Sequence, residues 1–381
     1  NFGCILLDRP NTKKKTAESG LVKCLVCGEI FDASLEICPV CGVGKENFVP
    51  VEVEESSYRK DTEDFYLILG NGAAGYQAAK AIRDRDKTAS VVMISDEPYR
   101  SYNRPMLTKS IMAELDEDQI AIQDERWYQE QRIVQVLGKK VTSVDTKEKE
   151  VSLEDGTRLK YTKLIYALGG ECFIPPIPGS DKEAVVAIRR LKDTRKIADL
   201  LPKVKNVVVI GGGVLGLEAA WEMKKAKCRV TVLEIAPVLM GRQLDASAGE
   251  LLKDIGGECG INIRTGVQPE EILGEERVTA VRLKGGEEIP ADMVIISSGV
   301  RANIGLAEQM GLETDRGVVV NGRMETSMAD VYACGDCAQY QNVNYAIWPE
   351  AVEQGKVAGA NAAGEEVEYE QVPAALTFNG M

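Results

Sequence analysis

The sequence predicts an α/β chain: two Rossmann-like strand–turn–helix–strand units, each opened by a glycine-rich turn, behind a small four-cysteine module near the amino end. Three observations carry that prediction. The pattern Gly-x-Gly-x-x-Gly occurs twice, at 70–75 and 211–216, each time between a run of β-formers and a helical stretch. Of the ten cysteines, four stand as two closely spaced Cys-x-x-Cys pairs near the amino end, and Cys334-Gly-Asp-Cys337 is a third such pair. The composition, 44% hydrophobic and 28% charged over 381 residues, is that of a folded chain of two to four domains.

The same counts exclude several functions. Lys+Arg 46 against Asp+Glu 59 leaves a net charge of −13, so the overall field repels nucleic acid and anionic membrane. The longest fully apolar run, 207–217, is too short to span a bilayer. The chain has no histidine, which removes Ser-His-Asp and Cys-His nucleophiles and every His-ligated metal. No basic n-region or apolar h-region opens the chain, and the many thiols suit a reducing compartment, so a cytoplasmic location is expected. The start at Asn1 and the stop at Met381 read as cuts in a longer polypeptide.

In chain order, residues 1–20 read as a tail, the end of a preceding module. Residues 21–51 hold Cys24-Leu-Val-Cys27, ten intervening residues, and Cys38-Pro-Val-Cys41. A glycine follows each pair (Gly28, Gly42), freeing the turn to aim backbone N–H groups at the sulfurs. Four thiolates at tetrahedral reach are a metal site, and iron and zinc both accept them. Residues 52–64 are charged and lack apolar periodicity, which marks a joint.

At 65 the first unit begins. Phe65–Leu69 is a strand, Gly70-Asn-Gly72-Ala73-Ala74-Gly75 the turn, 76–85 a helix, and Ser90–Ile94 a second strand ending in Ser95-Asp96-Glu97. The second unit repeats this with Asn206–Ile210, Gly211-Gly-Gly213-Val214-Leu215-Gly216, a helix over 217–226, a strand from Arg229, and Glu234. Each is the dinucleotide fingerprint. The first glycine makes the tight turn, the second lets backbone approach a pyrophosphate, and the third lets helix pack on strand, with the helix N-terminus facing the phosphates. Glu234, 23 residues beyond Gly211, is placed to accept ribose hydroxyls and to repel a 2′-phosphate, which favours NADH over NADPH. At the first turn either Asp96 or Glu97 takes that role.

These motifs resemble the FAD- and NAD-dependent reductases of the pyridine nucleotide–disulfide oxidoreductase superfamily, and among them NAD(P)H:rubredoxin oxidoreductases and nitrite-reductase-like flavoproteins. The resemblance covers 65–364. Tyr102-Asn-Arg104-Pro105-Met-Leu-Thr-Lys109 is similar to a stretch whose basic residues lie along the flavin. Ala167-Leu-Gly169-Gly170 resembles an Ala-Thr-Gly crossing strand, with Leu168 in place of Thr. Val331-Tyr-Ala-Cys-Gly335-Asp336 resembles the second FAD motif, where Asp336 would hold a ribityl hydroxyl, and the segment from Ile347 to Gly355 resembles one flanking the isoalloxazine. The resemblance implies FAD on the first turn and NADH on the second. It divides the chain into a FAD-binding domain (65–177, resuming near Gly299 over 298–364), an inserted NAD-binding domain (178–297), and the start of a C-terminal domain (365–381). Cys38 to Cys41, with Lys45 and Phe48, resembles the second knuckle of a short-spaced rubredoxin, which implies one iron on Cys24, Cys27, Cys38 and Cys41, with zinc as the alternative.

No cysteine occurs in 80–110, where disulfide reductases of this superfamily carry theirs. Electrons are therefore expected to leave the flavin directly. The expected activity is hydride transfer from NADH to FAD, with reactive atoms held ~3–3.5 Å apart, then single electrons to the Cys₄ iron and on to an external acceptor. Lys109 and Trp348 are the candidate catalytic residues, Lys109 with Arg104 against negative charge on the reduced ring, Trp348 over a flavin face. Flavodiiron proteins, which include forms fused to such a tail, are the architectural analogy. A homodimer or larger complex is the expected assembly. Rival readings are an electron-input subunit of a bifurcating or nitrite-reducing complex, a simple NADH oxidase, and a zinc-clipped interaction module.

Overall fold

The computed structural model describes residues 18–24, 30–38, 43–52, 57–109, 111 and 116–371. The chain divides into two compact units with the boundary between Tyr58 and Arg59.

In the first unit, Glu18–Cys24, Ile30–Asp32 and Phe48–Glu52 form an antiparallel sheet with Glu18–Cys24 in the middle. Cys24 closes that central strand and is buried, as is Cys38. The Cys38 N–H donates to the Val43 carbonyl at 2.8 Å. Cys27 and Cys41, the other two candidate ligands, lie outside the described residues, and among the described residues no metal-holding cluster is complete.

The second unit is built twice on one plan. Its first sheet runs, in spatial order, Val331–Ala333, Lys163–Tyr166, Phe65–Leu69, Ser90–Ile94, Ile133–Val136, all parallel. The second runs Val185–Val186, Met293–Ile296, Asn206–Ile210, Arg229–Glu234, Asn262–Thr265, again all parallel. In each half a three-stranded antiparallel meander (141–160 and 269–290) precedes the strand that pairs beside the glycine-turn strand. Tyr66–Leu69 and Val207–Ile210 are buried throughout because a parallel sheet covered on both faces leaves no wet side. The chain crosses between the halves through two short strands, Gly170–Cys172 and Val300–Ala302, which pair antiparallel.

Helix α1 (Ala73–Arg85) starts three residues earlier than the sequence suggests, with Gly72 as its N-cap. It packs along the helix Trp348–Ala362 at a distance only glycine permits. A Cβ on Gly355 would lie 2.3 Å from the Ala74 carbonyl oxygen, and one on Gly359 2.4 Å from that of Ala78. Gly359→Val should therefore cost about 1–3 kcal/mol of stability, read as a lower denaturant midpoint; an unchanged midpoint would show that the helices separate freely.

The charged joint is shorter than its composition suggests. Lys60 N–H donates to Arg85 O at 3.0 Å, and Thr62 Oγ1 to Asp86 Oδ2 at 2.6 Å, so 60–64 belong to the second unit. Hydrogen bonds, with burial opposing them, hold the Asp86 carboxyl below its ordinary range. At the far end, where a further domain is expected from 365, Tyr369 N–H donates to Gly322 O at 2.7 Å and Arg323 pairs with Glu366 and Glu368, binding that stretch to the first half. Among the described residues no helix is long and apolar enough to cross a membrane.

Candidate active site

The six fingerprint glycines separate into two kinds. Gly70 (φ 103°) and Gly211 (φ 117°) stand in the left-handed region, and a Cβ on them would meet the carbonyl oxygens of Ala167 at 2.1 Å and Ser297 at 2.2 Å. Gly75 and Gly216 would put a Cβ 2.0 and 2.1 Å from the carbonyl oxygens of Gly70 and Gly211. These four are glycine because the chain's own backbone requires it. Gly72 and Gly213 have ordinary φ, −68° and −83°, and a Cβ on either would meet nothing within 4 Å. Each is the N-cap of its helix, α1 or Val214–Lys225, with no side-chain cap to satisfy the first-turn N–H groups. Ala73 and Ala74 are buried at the start of α1; Val214 is half-buried and Leu215 exposed at the start of the second helix. Two uncapped helix N-termini, each beside an open cradle, fit two pyrophosphates.

Of the two acids after the first turn, Glu97 is buried and fully engaged. Its Oε1 accepts from Arg104 Nη2 and its Oε2 from Tyr102 Oη, both at 2.9 Å. Burial pushes the Tyr102 hydroxyl up, keeping it a proton donor. Asp96 is exposed and accepts from Arg190 Nη1 at 2.7 Å. Arg104, read from the sequence as a flavin-side cation, is held by protein: besides Glu97 it donates to Arg189 O at 2.6 Å and lies over the Tyr102 ring. Pro105 stands in the turn leading to the short helix α2 (Met106–Lys109).

Lys109 lies at the end of α2 with its Nζ 3.9 Å from Glu218 Oε1, and Thr108 Oγ1 donates to Glu218 Oε2 at 2.6 Å. Glu218 is almost fully buried, two residues beyond the third glycine of the second turn. The loop of one half is thus tied to the fingerprint helix of the other. Sequence reasoning misses Glu218, although two acids one turn apart, Glu218 and Glu222, on a largely apolar helix were a readable signal. It also misses Arg189 and Arg190.

Ala167 and Gly169 close the first sheet's crossing. Gly169 (φ 63°) and Gly299 (φ 102°) turn the chain at the two passages, with Asn303 N–H donating to Gly169 O and Phe173 N–H to Gly299 O, both at 2.9 Å. Gly335 (φ 80°) donates its N–H to Gln354 Oε1 at 2.9 Å, and Asp336 pairs with Arg189 Nη2 at 2.6 Å. Trp348 is half-buried at the first turn of its helix, against the core of the first half. Cys334 and Cys337, the third Cys-x-x-Cys pair, are wholly buried. Burial pushes the Cys334 thiol well up and that of Cys337 to about 12, so neither is a thiolate at neutral pH.

In the second half, Glu234 Oε2 accepts from Gly212 N at 2.6 Å and Oε1 from Ala236 N at 2.7 Å. The acid is fixed against the turn that precedes it, beside the open face of Gly213.

The family model described as pyridine nucleotide-disulphide oxidoreductase matches residues 65–355. A nitrite reductase [NAD(P)H] of Bacillus subtilis is 38% identical over 302 residues, 79% of this chain and 37% of that protein. An NADH-rubredoxin oxidoreductase of Clostridium acetobutylicum is 34% identical over 306 residues, 80% of this chain and 76% of that protein. The crystal structure of an NADH:rubredoxin oxidoreductase from Clostridium acetobutylicum superposes with a TM-score of 0.73 at 33% identity, over 83% of this chain and 78% of that one. The chain spans about two-fifths of the Bacillus nitrite reductase. The doubled fingerprint, the two open cradles and these matches agree: the chain belongs to the pyridine nucleotide-disulphide oxidoreductase family.

Proposed function

We propose that the chain is an NADH-dependent flavin reductase that delivers single electrons through a Cys₄ iron centre to an external one-electron acceptor. The observation that carries the flavin part is the empty space beyond both Gly72 and Gly213, which makes two dinucleotide cradles in one unit. FAD supplies, when bound, acceptance of a hydride from NADH and release of electrons one at a time.

The chain's own residues bind, orient and charge-balance. Gly70, Gly72, Ala73, Ala74 and Gly75 form the FAD pyrophosphate cradle, and Gly211, Gly213, Val214, Leu215 and Gly216 the NADH one. Asp96 takes the FAD ribose, since its carboxylate is exposed, whereas Glu97 is buried between Arg104 and Tyr102. Glu97 braces Arg104 and the Pro105 turn. Ala167, Gly169 and Gly299 shape the passage between the halves, and Gly335 and Asp336 hold the ribityl side. Lys109, positioned by Glu218, supplies positive charge against the reduced ring, and Trp348 covers a flavin face. Cys24, Cys27, Cys38 and Cys41 hold iron as four thiolates in a rubredoxin-like module, with zinc as the alternative. Support for an acceptor of this kind is the relative titled NADH-rubredoxin oxidoreductase.

A second reading, an electron-input unit of a larger enzyme, is favoured by the match to 37% of the Bacillus nitrite reductase. Stopped-flow mixing of NADH with metal-loaded protein tests the first reading: flavin bleaching followed by iron bleaching is the expected result, and flavin bleaching alone refutes the relay.

Nucleotide choice gives a separate prediction. Glu234→Ala removes the ribose acceptor and two backbone contacts. At about 1.5–3 kcal/mol for a charged hydrogen bond, the KM for NADH should rise about tenfold or more, with NADPH much less affected. Steady-state kinetics with both nucleotides checks it, and an equal change for the two would remove Glu234 from the ribose.

A further inference from the structure

Arg190 reaches three parts of the second unit at once. Its backbone N–H donates to Asp193 Oδ2 at 2.7 Å, fixing it as the N-cap of the helix Leu191–Leu200, at the entry to the second half. Its side chain is one-fifth exposed and forks between two carboxylates. Nη1 lies 2.7 Å from Asp96 Oδ2, and Nη2 pairs with Glu171 on the crossing strand Gly170–Cys172. Its neighbour Arg189 pairs with Asp336 at 2.6 Å and donates through Nε to Gly170 O at 2.7 Å. Two consecutive arginines therefore meet the two carboxylates proposed for the FAD ribose and the ribityl side, Asp96 and Asp336.

We infer that Arg190 is a positioning residue for the adenosine end of the flavin cofactor: it holds the Asp96 carboxylate by one oxygen and leaves the other for a ribose hydroxyl. This rests on the proposed reading that the first cradle takes FAD and that Asp96 meets its ribose. Asp96 is exposed, and its two-carbon reach leaves the carboxylate free to turn unless something fixes it. A guanidinium does so through a charge-assisted bond, so less ordering is left to be done on binding. It also offsets the repulsion between that carboxylate and an incoming pyrophosphate. Glu171 keeps the guanidinium from swinging away. Because Arg190 belongs to the segment entering the second half, the adenosine end of the first cradle is complete only with that segment docked.

The test is titration of the apoprotein with FAD and with an FAD analogue whose adenosine ribose lacks both hydroxyls, followed by flavin fluorescence, alongside the apoprotein's Tm. The native chain should bind the analogue about tenfold or more weakly than FAD. Arg190→Ala should weaken FAD about tenfold while leaving the analogue within about twofold and Tm within about 2 °C, and Arg190→Lys should recover part of the loss. An equal loss for FAD and analogue, or a loss that merely follows a fall in Tm, makes Arg190 a structural brace and overturns the inference. So does native FAD affinity in Arg190→Ala when Asp96→Asn is impaired. Native affinity in Asp96→Asn together with impairment in Glu97→Gln fails at the earlier step, the assignment of Asp96 to the ribose.

Discussion

Gly72→Val should yield a protein that folds and does not hold FAD, and Gly213→Val one that holds FAD and is not reduced by NADH at ordinary concentrations. Both positions have φ open to any residue, and a Cβ on either meets nothing within 4 Å, so the apoprotein has no reason to resist the change. What the new side chain occupies is the space where phosphate oxygens meet the first-turn N–H groups. Loss of two such charge-assisted bonds, each about 1.5–3 kcal/mol, is about 100-fold or more in affinity at 1.4 kcal/mol per decade. The internal control is Gly70→Ala. There φ is 103° and the Ala167 carbonyl oxygen lies 2.1 Å from the added Cβ, so stability should fall by about 1–3 kcal/mol. Flavin content after desalting, melting temperature and the NADH dependence of flavin reduction separate the three variants. If Gly72→Val keeps its flavin, or if its melting temperature falls as far as that of Gly70→Ala, the division of the fingerprint glycines into chain-imposed and ligand-imposed is wrong.

How much of this was legible in the sequence depends on how far each residue's partners lie along the chain. The fingerprints were legible because strand, turn and helix are contiguous and the glycines recur in a fixed pattern; the distant carbonyls that exclude a Cβ at Gly70 and Gly211, those of Ala167 and Ser297, were not. The braces were not legible. Glu218 meets Lys109 and Thr108 across more than a hundred residues, and Arg190 meets Asp96 across ninety-four. No spacing rule couples two segments that only the docking of the halves brings together. Arg104 is a further case: the sequence places it beside Lys109 as a flavin-side cation, and its partners Glu97, Tyr102 and the Arg189 carbonyl are seen only in the fold, where burial opposes its charge while Tyr102 and Glu97 more than offset that. The choice between Asp96 and Glu97 is of the same kind: two adjacent acids alternate sides of the chain, and only the three-dimensional structure says which one Arg104 and Tyr102 claim.

Cys24→Ser and Cys38→Ser should separate hydride uptake from electron exit. Both side chains are buried in the first unit, and the Cys38 backbone N–H is held by Val43 O, a bond that does not use the thiol. A buried thiol replaced by a hydroxyl keeps its volume and loses its affinity for a soft or borderline metal, so metal content should fall from one per chain toward zero. Flavin reduction by NADH uses groups of the second unit only and should stay within about twofold of native. Transfer to an added rubredoxin-type acceptor at low concentration should fall roughly tenfold or more, because a centre carried on the same chain meets its donor at an effective concentration approaching about millimolar. Raising the free acceptor should close the gap, since it then competes on equal terms for the flavin. Metal analysis of the native protein fixes the meaning of the result. Iron with the predicted split between uptake and exit makes the module a relay. Zinc, or iron whose removal leaves acceptor flux untouched, makes it a structural clip and moves the electron exit to the flavin itself.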